Sequence, residues 1–198
     1  IPAAGVAFDG GVGGNDSMEF VNGSASTVTH TFLNANDGSV DIDGAVITYV
    51  GLEPILDNLN AVDRVFDFQG GDETITLSAD ANIAGNNLID STLGESVTFA
   101  NPSRSLTINS GDGDDVINIT ALDSGNLSSL IVNGGAGALD TLNMDGVNLD
   151  TDGQGRGLAL SELEIIDINT GTISNNSADL VGGLGGGILI ENSVERPP

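Results

Sequence analysis

The chain alternates apolar and polar residues over short segments, and turns rich in glycine and aspartate separate these segments. Period-two alternation predicts β-strands with one buried face, and the Gly/Asp clusters predict tight turns between them. Three copies of this strand–turn–strand pattern stand out, at 106–119 (LTINSGDGDDVINI), 130–144 (LIVNGGAGALDTLNM) and, in shorter form, 66–77 (FDFQGGDETITL). We therefore expect an all-β protein.

Alternation of this kind extends along most of the chain, and one segment interrupts it. Five aliphatic residues between positions 52 and 62 fall at helical spacing, and Pro54 suits a first helical turn. This spacing predicts a short helix over 54–61. The predicted strands are 18–21, 27–33, 40–42, 45–50, 65–68, 74–78, 87–90, 96–99, 105–109, 116–120, 129–132, 141–144, 164–168, 171–174 and 187–190.

The spacing of the two best copies predicts how the strands stack. Leu106 and Leu130 occupy equivalent positions 24 residues apart, and one coil of a β-solenoid takes roughly 20–30 residues. We therefore predict a parallel β-helix over 65–198, preceded by N-terminal strands and an irregular or short-helix cap over 1–64. The same alternation also fits an antiparallel β-sandwich, which remains the alternative.

Composition favours a core of thin aliphatic layers. The chain has 29 Gly among 198 residues, only 4% aromatic residues, and no Cys. Many glycines indicate many turns that require positive φ. Without disulfides, stability has to come from the repeated architecture or from bound metal.

The charge is strongly negative and restricts the partners. Four basic residues, all Arg, stand against 29 acids, for a formal net charge of −25. Such a surface repels nucleic acid phosphates and anionic membranes, and it attracts divalent cations. No apolar run approaches the roughly 20 residues of a membrane helix. We predict no nucleic acid partner and no membrane insertion.

The acidic turn of the best copy is the candidate metal site. Asp112, Asp114 and Asp115 crowd this turn, and like charges so close repel one another unless a cation or solvent screens them. Calcium prefers carboxylate and carbonyl oxygens of this kind. The alternative interpretation is an exposed acidic turn without a bound ion.

The segment 110–118 (SGDGDDVIN) resembles the nonapeptide of the calcium-binding repeats-in-toxin (RTX) family, with Ser in place of the first Gly. The segments 134–143 and 70–75 match with an insertion and a truncation, and the copies are isolated rather than tandem. The resemblance implies Ca²⁺ held between adjacent turns. The predicted metal residues are Gly111, Asp112, Gly113, Asp114, Asp115 and Asp140.

A second resemblance lies near the C-terminus. Ile173 and Asn176, followed by 185–188 (GGGI), are similar to the repeats of polymorphic outer-membrane adhesins. Together the two resemblances imply a segment of a large, secreted, repetitive bacterial surface protein.

We therefore expect a non-enzymatic, extracellular, structural or adhesive segment of a cell-surface or matrix protein, stabilised by calcium. The alternatives are a self-assembling filament subunit and a carbohydrate-binding or carbohydrate-active β-helix that recognises a surface or matrix glycan. His30 is the single histidine, and a lone histidine on a strand is typical of a surface or barrel-side residue rather than of a catalytic one.

Overall fold

A computed structural model describes residues 5–11, 13, 16–123, 129–150, 157–169, 171–174 and 187–191. This part of the chain is built of strands and turns, and it contains no helix. The strands are β1 (Val6–Asp9), β2 (Met18–Phe20), β3 (Ser24–Asn34), β4 (Asp37–Ile42), β5 (Ala45–Val50), β6 (Ile55–Asp57), β7 (Asn60–Phe68), β8 (Thr74–Ala79), β9 (Asn86–Ser91), β10 (Val97–Ala100), β11 (Ser105–Asn109), β12 (Val116–Thr120), β13 (Ser129–Asn133), β14 (Thr141–Asp145), β15 (Val147–Asp150), β16 (Gly157–Ser161), β17 (Ile165–Ile168), β18 (Gly171–Ser174) and β19 (Gly187–Glu191).

Two large mixed sheets contain nearly all of these strands. Sheet A has the order β1-β5-β4-β3-β7-β11-β13-β16-β19, and sheet B has the order β17-β14-β12-β8-β9-β10-β6-β2. Strands β15 and β18 form a separate parallel pair. From β11 to β14 and again from β16 to β17, the chain passes alternately from sheet A to sheet B.

The prediction of a parallel β-helix is wrong, because both sheets are mixed. Sheet A contains the antiparallel run β3-β4-β5, and sheet B contains the antiparallel run β8-β9-β10. Tight turns such as Asp43-Gly44 join neighbouring strands directly, and a tight turn can only join antiparallel partners. The alternative, a purely antiparallel sandwich, does not describe the fold either, since most other strand pairs are parallel.

The helix predicted over 54–61 is also wrong. The segment forms β6 and the start of β7, and the residues Ile55, Asp57, Leu59 and Ala61 alternate inward. Asp57 is a buried charge at an interior position, so the polarity of the sequence concealed the period-two pattern. Strand β1 was also not predicted. All four of its residues are exposed, so it has no buried face.

Strand register follows the 24-residue spacing in the C-terminal half. Leu106 lies opposite Leu130, and Ile108 lies opposite Val132. On the other side of β11, Ile108 lies opposite Phe66, 42 residues away, because β8, β9 and β10 intervene. In-register pairing stacks like residues above like, which builds continuous apolar columns through one shared core.

The character of this core changes along the sheets. Near β3, β7 and β10 it is aromatic, with ring centroids 4.6 Å apart for Phe32 and Phe68 and 4.8 Å apart for Phe66 and Phe99. From β11 onward it is aliphatic. Phe66 belongs to sheet A and Phe99 to sheet B, so the two sheets pack face to face through these rings.

The turns after β11 and β13 stack as closely as the strands do. The Ala136 N–H donates to the Gly111 carbonyl at 2.9 Å, and the Gly113 N–H donates to the Ala136 carbonyl at 3.3 Å. A Cβ atom on Gly135 would collide with the backbone of Gly111, and one on Gly134 would collide with the Glu162 carbonyl oxygen. These turns contain glycine because backbone approaches backbone there.

We predict that Gly134→Ala destabilises the protein by about 1–3 kcal/mol, the usual cost of forcing an extra methyl group into a packed site. Gly71→Ala is the matched control, because its Cβ would meet no atom within 4 Å. We expect the control to change stability by less than about 1 kcal/mol. Urea unfolding of both variants measures the difference, and equal stabilities would contradict the stacked-turn arrangement.

Candidate functional site

Four acids form a column along successive turns, and the backbone N–H of each of the first three donates to the side chain of the next acid. We call Glu73, Asp115, Asp140 and Glu164 the carboxylate column. The Glu73 N–H donates to Asp115 Oδ1 at 3.0 Å, and the Asp115 N–H donates to Asp140 Oδ1 at 2.8 Å. The Asp140 N–H donates to Glu164 Oε2 at 2.7 Å. Carboxylates therefore hold the turns in register by charge-assisted hydrogen bonds.

A second set of contacts runs beside this column. Asp114 Oδ1 accepts the N–H groups of Ala138 at 2.8 Å and Leu139 at 3.1 Å. The Asp114 N–H in turn donates to Asp72 Oδ1 at 3.0 Å. Asp114 thus acts as a cap for the neighbouring turn, in the manner of an Asx side chain that satisfies free backbone donors.

Two carboxylates of the column are fully buried and retain an oxygen without a partner. Asp115 and Asp140 are both 0% exposed. Their Oδ2 atoms have no hydrogen-bond partner within the described residues. Burial is the first cause that raises the pKa of Asp115 and of Asp140, and it also raises the pKa of Glu73. These groups therefore favour a bound proton or a bound cation more than ordinary acids do.

The six predicted metal residues do not converge on one point. Asp115 and Asp140 turn into the column and Asp114 caps the next turn, while Asp112 is exposed and forms an isolated bridge with Ala136. In the described ranges, no three His, Cys, Asp or Glu side chains group closely enough to hold a metal. An ion at the turns would thus need backbone carbonyls together with Asp115 Oδ2 or Asp140 Oδ2.

Gly111 and Gly113 have a steric role. A Cβ on Gly111 would overlap the Phe68 carbonyl, and one on Gly113 would lie 2.6 Å from the Asp72 nitrogen. A cleft of about 390 Å³ opens beside Gly111 and is lined by two acids, Asp112 and Glu162. The glycines therefore let the turns pack closely, whether or not an ion binds.

A buried charged cluster, which sequence reasoning missed, lies between the two sheets. His30 on β3, Asp57 on β6 and Arg64 on β7 are each 0% exposed. Asp57 Oδ2 accepts from Arg64 Nη1 and lies 2.8 Å from His30 Nε2. The other oxygen, Oδ1, accepts the Leu59 N–H at 3.0 Å, and Arg64 Nη2 donates to the Leu59 carbonyl at 3.1 Å. We call these three residues the interior triad.

The electrostatics of the interior triad fix its protonation. Burial acts to raise the pKa of Asp57, but the His30 hydrogen bond and the Arg64 charge outweigh it and hold that pKa below its usual range. Burial lowers the pKa of His30. The triad therefore contains an anionic Asp57, a cationic Arg64 and a neutral His30 whose Nε2 carries the proton, because an ionised carboxylate can only accept.

The interior triad connects the two sheets. Arg64 belongs to sheet A and Asp57 to sheet B, and the guanidinium lies 5.5 Å from the centre of the Phe99 ring. His30 stacks on Phe66 with centroids 5.2 Å apart. The expectation that His30 is a surface or barrel-side residue is wrong, because its imidazole completes the aromatic core. A signal for this cluster is present in the sequence. Asp57 and Arg64 each alternate with buried apolar residues, and this alternation assigns both side chains to the interior face.

Comparisons with known protein families, curated proteins and solved structures give no match to this chain. Its similarity to RTX and adhesin-like repeats therefore rests on the motifs alone. Of the adhesin-like motif, Asn176 and positions 185–186 lie outside the described residues.

We predict that Asp57→Ala costs about 3–5 kcal/mol, because it leaves the buried Arg64 guanidinium without its counter-ion. The matched control is Asp63→Ala, which breaks the pair with Arg104 and also removes the acceptor of the Ser105 hydroxyl. Arg104 is 67% exposed and Asp63 is 16% exposed, so solvent reaches this pair from the Arg104 side. An exposed pair contributes about 0–1 kcal/mol. Chemical denaturation compares the two variants.

A double variant tests the ion pair without leaving one buried charge unpaired. Asp57→Leu with Arg64→Met replaces the ion pair by apolar side chains and should recover much of the stability. If Asp57→Ala proves no worse than Asp63→Ala, the interior triad does not stabilise the fold.

Proposed function

We propose that this chain is a non-enzymatic structural segment of an extracellular surface or matrix protein, with calcium stabilising its acidic turns. The observation that carries the proposal is the carboxylate column. Acidic residues that could have served in catalysis accept backbone hydrogen bonds between turns instead. They hold successive turns in a regular stack through the backbone, which is what a structural segment requires.

The positions of the aromatic residues favour this function over carbohydrate recognition. Sugar-binding platforms require exposed aromatic faces, whereas Tyr49, Phe32, Phe66, Phe68 and Phe99 are all at most 1% exposed. Of the other two aromatic residues, Phe20 is partly buried against the core, and Phe8 is 37% exposed. The aromatic residues fill the core instead of a groove.

The candidate site also favours a structural role over catalysis. The one histidine is fully buried in the interior triad, where it bonds to Asp57. Its pKa is lowered by burial, so it is neutral and enclosed rather than placed beside a nucleophile. Within the described ranges, no helix is both long and apolar enough to cross a membrane.

Calcium has a defined physical role in this proposal. With a net charge of −25, the chain repels itself, and a divalent cation at the turns reduces that repulsion. Asp115 Oδ2 and Asp140 Oδ2 are the side-chain oxygens that would hold it, because their partner oxygens Oδ1 already bind backbone N–H groups. Turn carbonyls would complete an oxygen shell of the kind that calcium prefers.

We predict that millimolar calcium raises the melting temperature by about 3–6 °C relative to sodium chloride of matched ionic strength. Free calcium at roughly ten times its dissociation constant contributes about 1.4 kcal/mol. Magnesium should do less, because it demands a tighter octahedral shell. Thermal melts followed by circular dichroism measure the shift.

Two charge-matched variants locate the effect. Asp115→Asn keeps an oxygen for the Glu73 N–H and removes the charge, so it should abolish most of the calcium shift. Asp167→Asn removes a charge from an exposed position on β17 and should keep the shift. Equal shifts in both variants would mean that calcium only screens the total charge, and no shift in the unaltered protein would exclude structural calcium.

A second candidate function, self-assembly into a filament, is favoured by one edge of sheet A. Strand β1 pairs with β5 alone, so its outer edge has no partner strand in the described structure. Val6 and Phe8 lie in register with the buried residues Ile47 and Tyr49, yet they are 43% and 37% exposed. A core face that continues to an open edge suits pairing with a second copy of the chain.

We predict that, if self-assembly is the function, light scattering gives a mass that increases with protein concentration. Phe8→Ser should reduce this increase, because it removes apolar area at the edge. Val62→Ser, a control at a position 38% exposed within the sheet, should not. A constant monomer mass across concentrations would exclude the filament.

A further inference from the structure

A cavity distant in sequence from the acidic turns of β11 and β13 carries a further inference. It has a volume of about 360 Å³ and lies between the turn after β3, the loop after β5, and the segment that joins β9 to β10. Among the described residues, its lining includes three acids, Glu53, Asp90 and Glu95, and no basic side chain. The cavity is therefore much larger than the space that one buried water occupies, and its lining is acidic.

Glu95 is the distinctive residue of this cavity. It is 2% exposed, although it is one of the lining residues. Its Oε1 accepts the Ser96 N–H at 3.1 Å, whereas Oε2 is buried and has no hydrogen-bond partner within the described residues. A buried carboxyl oxygen without a donor is costly, so this atom favours any ligand that supplies one.

The surroundings of Glu95 are negative. Burial, together with the smaller effect of the Glu53 and Asp90 charges, raises the pKa of Glu95 to about 8. The Tyr49 hydroxyl is also buried, with no hydrogen-bond partner in the part of the chain that the structure describes. Burial, followed by the Glu95 charge, raises the pKa of this hydroxyl. Glu53 and Asp90 are exposed, so the cavity has a neutral acid in its wall and two carboxylates at its solvent side.

We propose that this cavity binds a primary organic ammonium ion, with Glu95 as the buried counter-ion and Glu53 and Asp90 at the entrance. An ammonium group carries three N–H donors and no acceptor, which suits a lining of carboxyl oxygens. Anionic ligands are excluded by the same charges.

A bare metal ion fits this cavity less well. Calcium takes six to eight oxygens at about 2.3–2.6 Å, all directed at one point. Glu53, Asp90 and Glu95 do not form such a group in the described structure. A cavity of about 360 Å³ instead accommodates an aminoalkyl chain together with its charged end. The inference is independent of the proposed calcium role at the turns.

Isothermal titration calorimetry with butylammonium chloride tests the proposal, with 1-butanol as the neutral analogue of the same shape. The cation binds ionised Glu95, so affinity should increase about tenfold per pH unit from about pH 6 to pH 8 and then level off. Near pH 7, binding should release close to one proton, which titrations in two buffers of different ionisation enthalpy detect. Nα-acetyl-lysine N-methylamide, which keeps a free ε-ammonium group, is titrated in parallel. It distinguishes a lysine side chain from a free amine as the natural source.

Three variants complete the test. Glu95→Gln, which keeps the shape, should weaken butylammonium binding at least tenfold and remove its pH dependence. Glu53→Gln, at an exposed position that cannot disturb the core, should weaken binding severalfold. Glu19→Gln, an exposed acid on β2, should bind as the unaltered protein does. Equal binding of 1-butanol, unchanged binding by both Glu95→Gln and Glu53→Gln, or no heat at tens of millimolar amine at alkaline pH would each overturn the proposal.

Discussion

The structure depends on one constraint, which is that successive turns must satisfy each other's backbone groups as they stack. The N–H groups of Glu73, Asp115 and Asp140 each reach a carboxylate in the next turn. Glycine allows the approach, and aspartate or glutamate supplies the acceptor. Strand register and turn register are therefore locked together, since a slip of one residue would leave buried donors without partners.

The same constraint explains how so acidic a chain can fold. Many of its carboxylates are not free charges but hydrogen-bond acceptors for the backbone, and Asp114 satisfies two donors at once. At the buried Asp115 and Asp140, hydrogen bonding compensates only one of the two carboxylate oxygens. The second oxygen of each has no hydrogen-bond partner among the described residues. Burial raises the pKa values of these two acids, and the neighbouring acidic charges act in the same direction.

The interior triad addresses a different problem, the contact between two mixed sheets. Asp57, Arg64 and His30 occupy interior positions among the apolar and aromatic residues of the core. A buried ion pair gains little over an apolar pair in net stability, but breaking it is costly. The triad thus specifies which strands face each other where antiparallel hairpins interrupt the parallel ladders.

The sequence by itself determined most of the strands, the Gly/Asp turns and the in-register pairing of Leu106 with Leu130, because alternation and Gly/Asp turns are local signals. It also located the acidic turns, although not the partners of Asp115 and Asp140. Tertiary structure alone decided the mixed sheets, the strand at Ile55–Asp57 in place of a helix, and the burial of His30 and Glu95. These features depend on which distant residues meet: Asp57 is acceptable inside only because Arg64 reaches it from the other sheet, and spacing along the chain does not encode that contact.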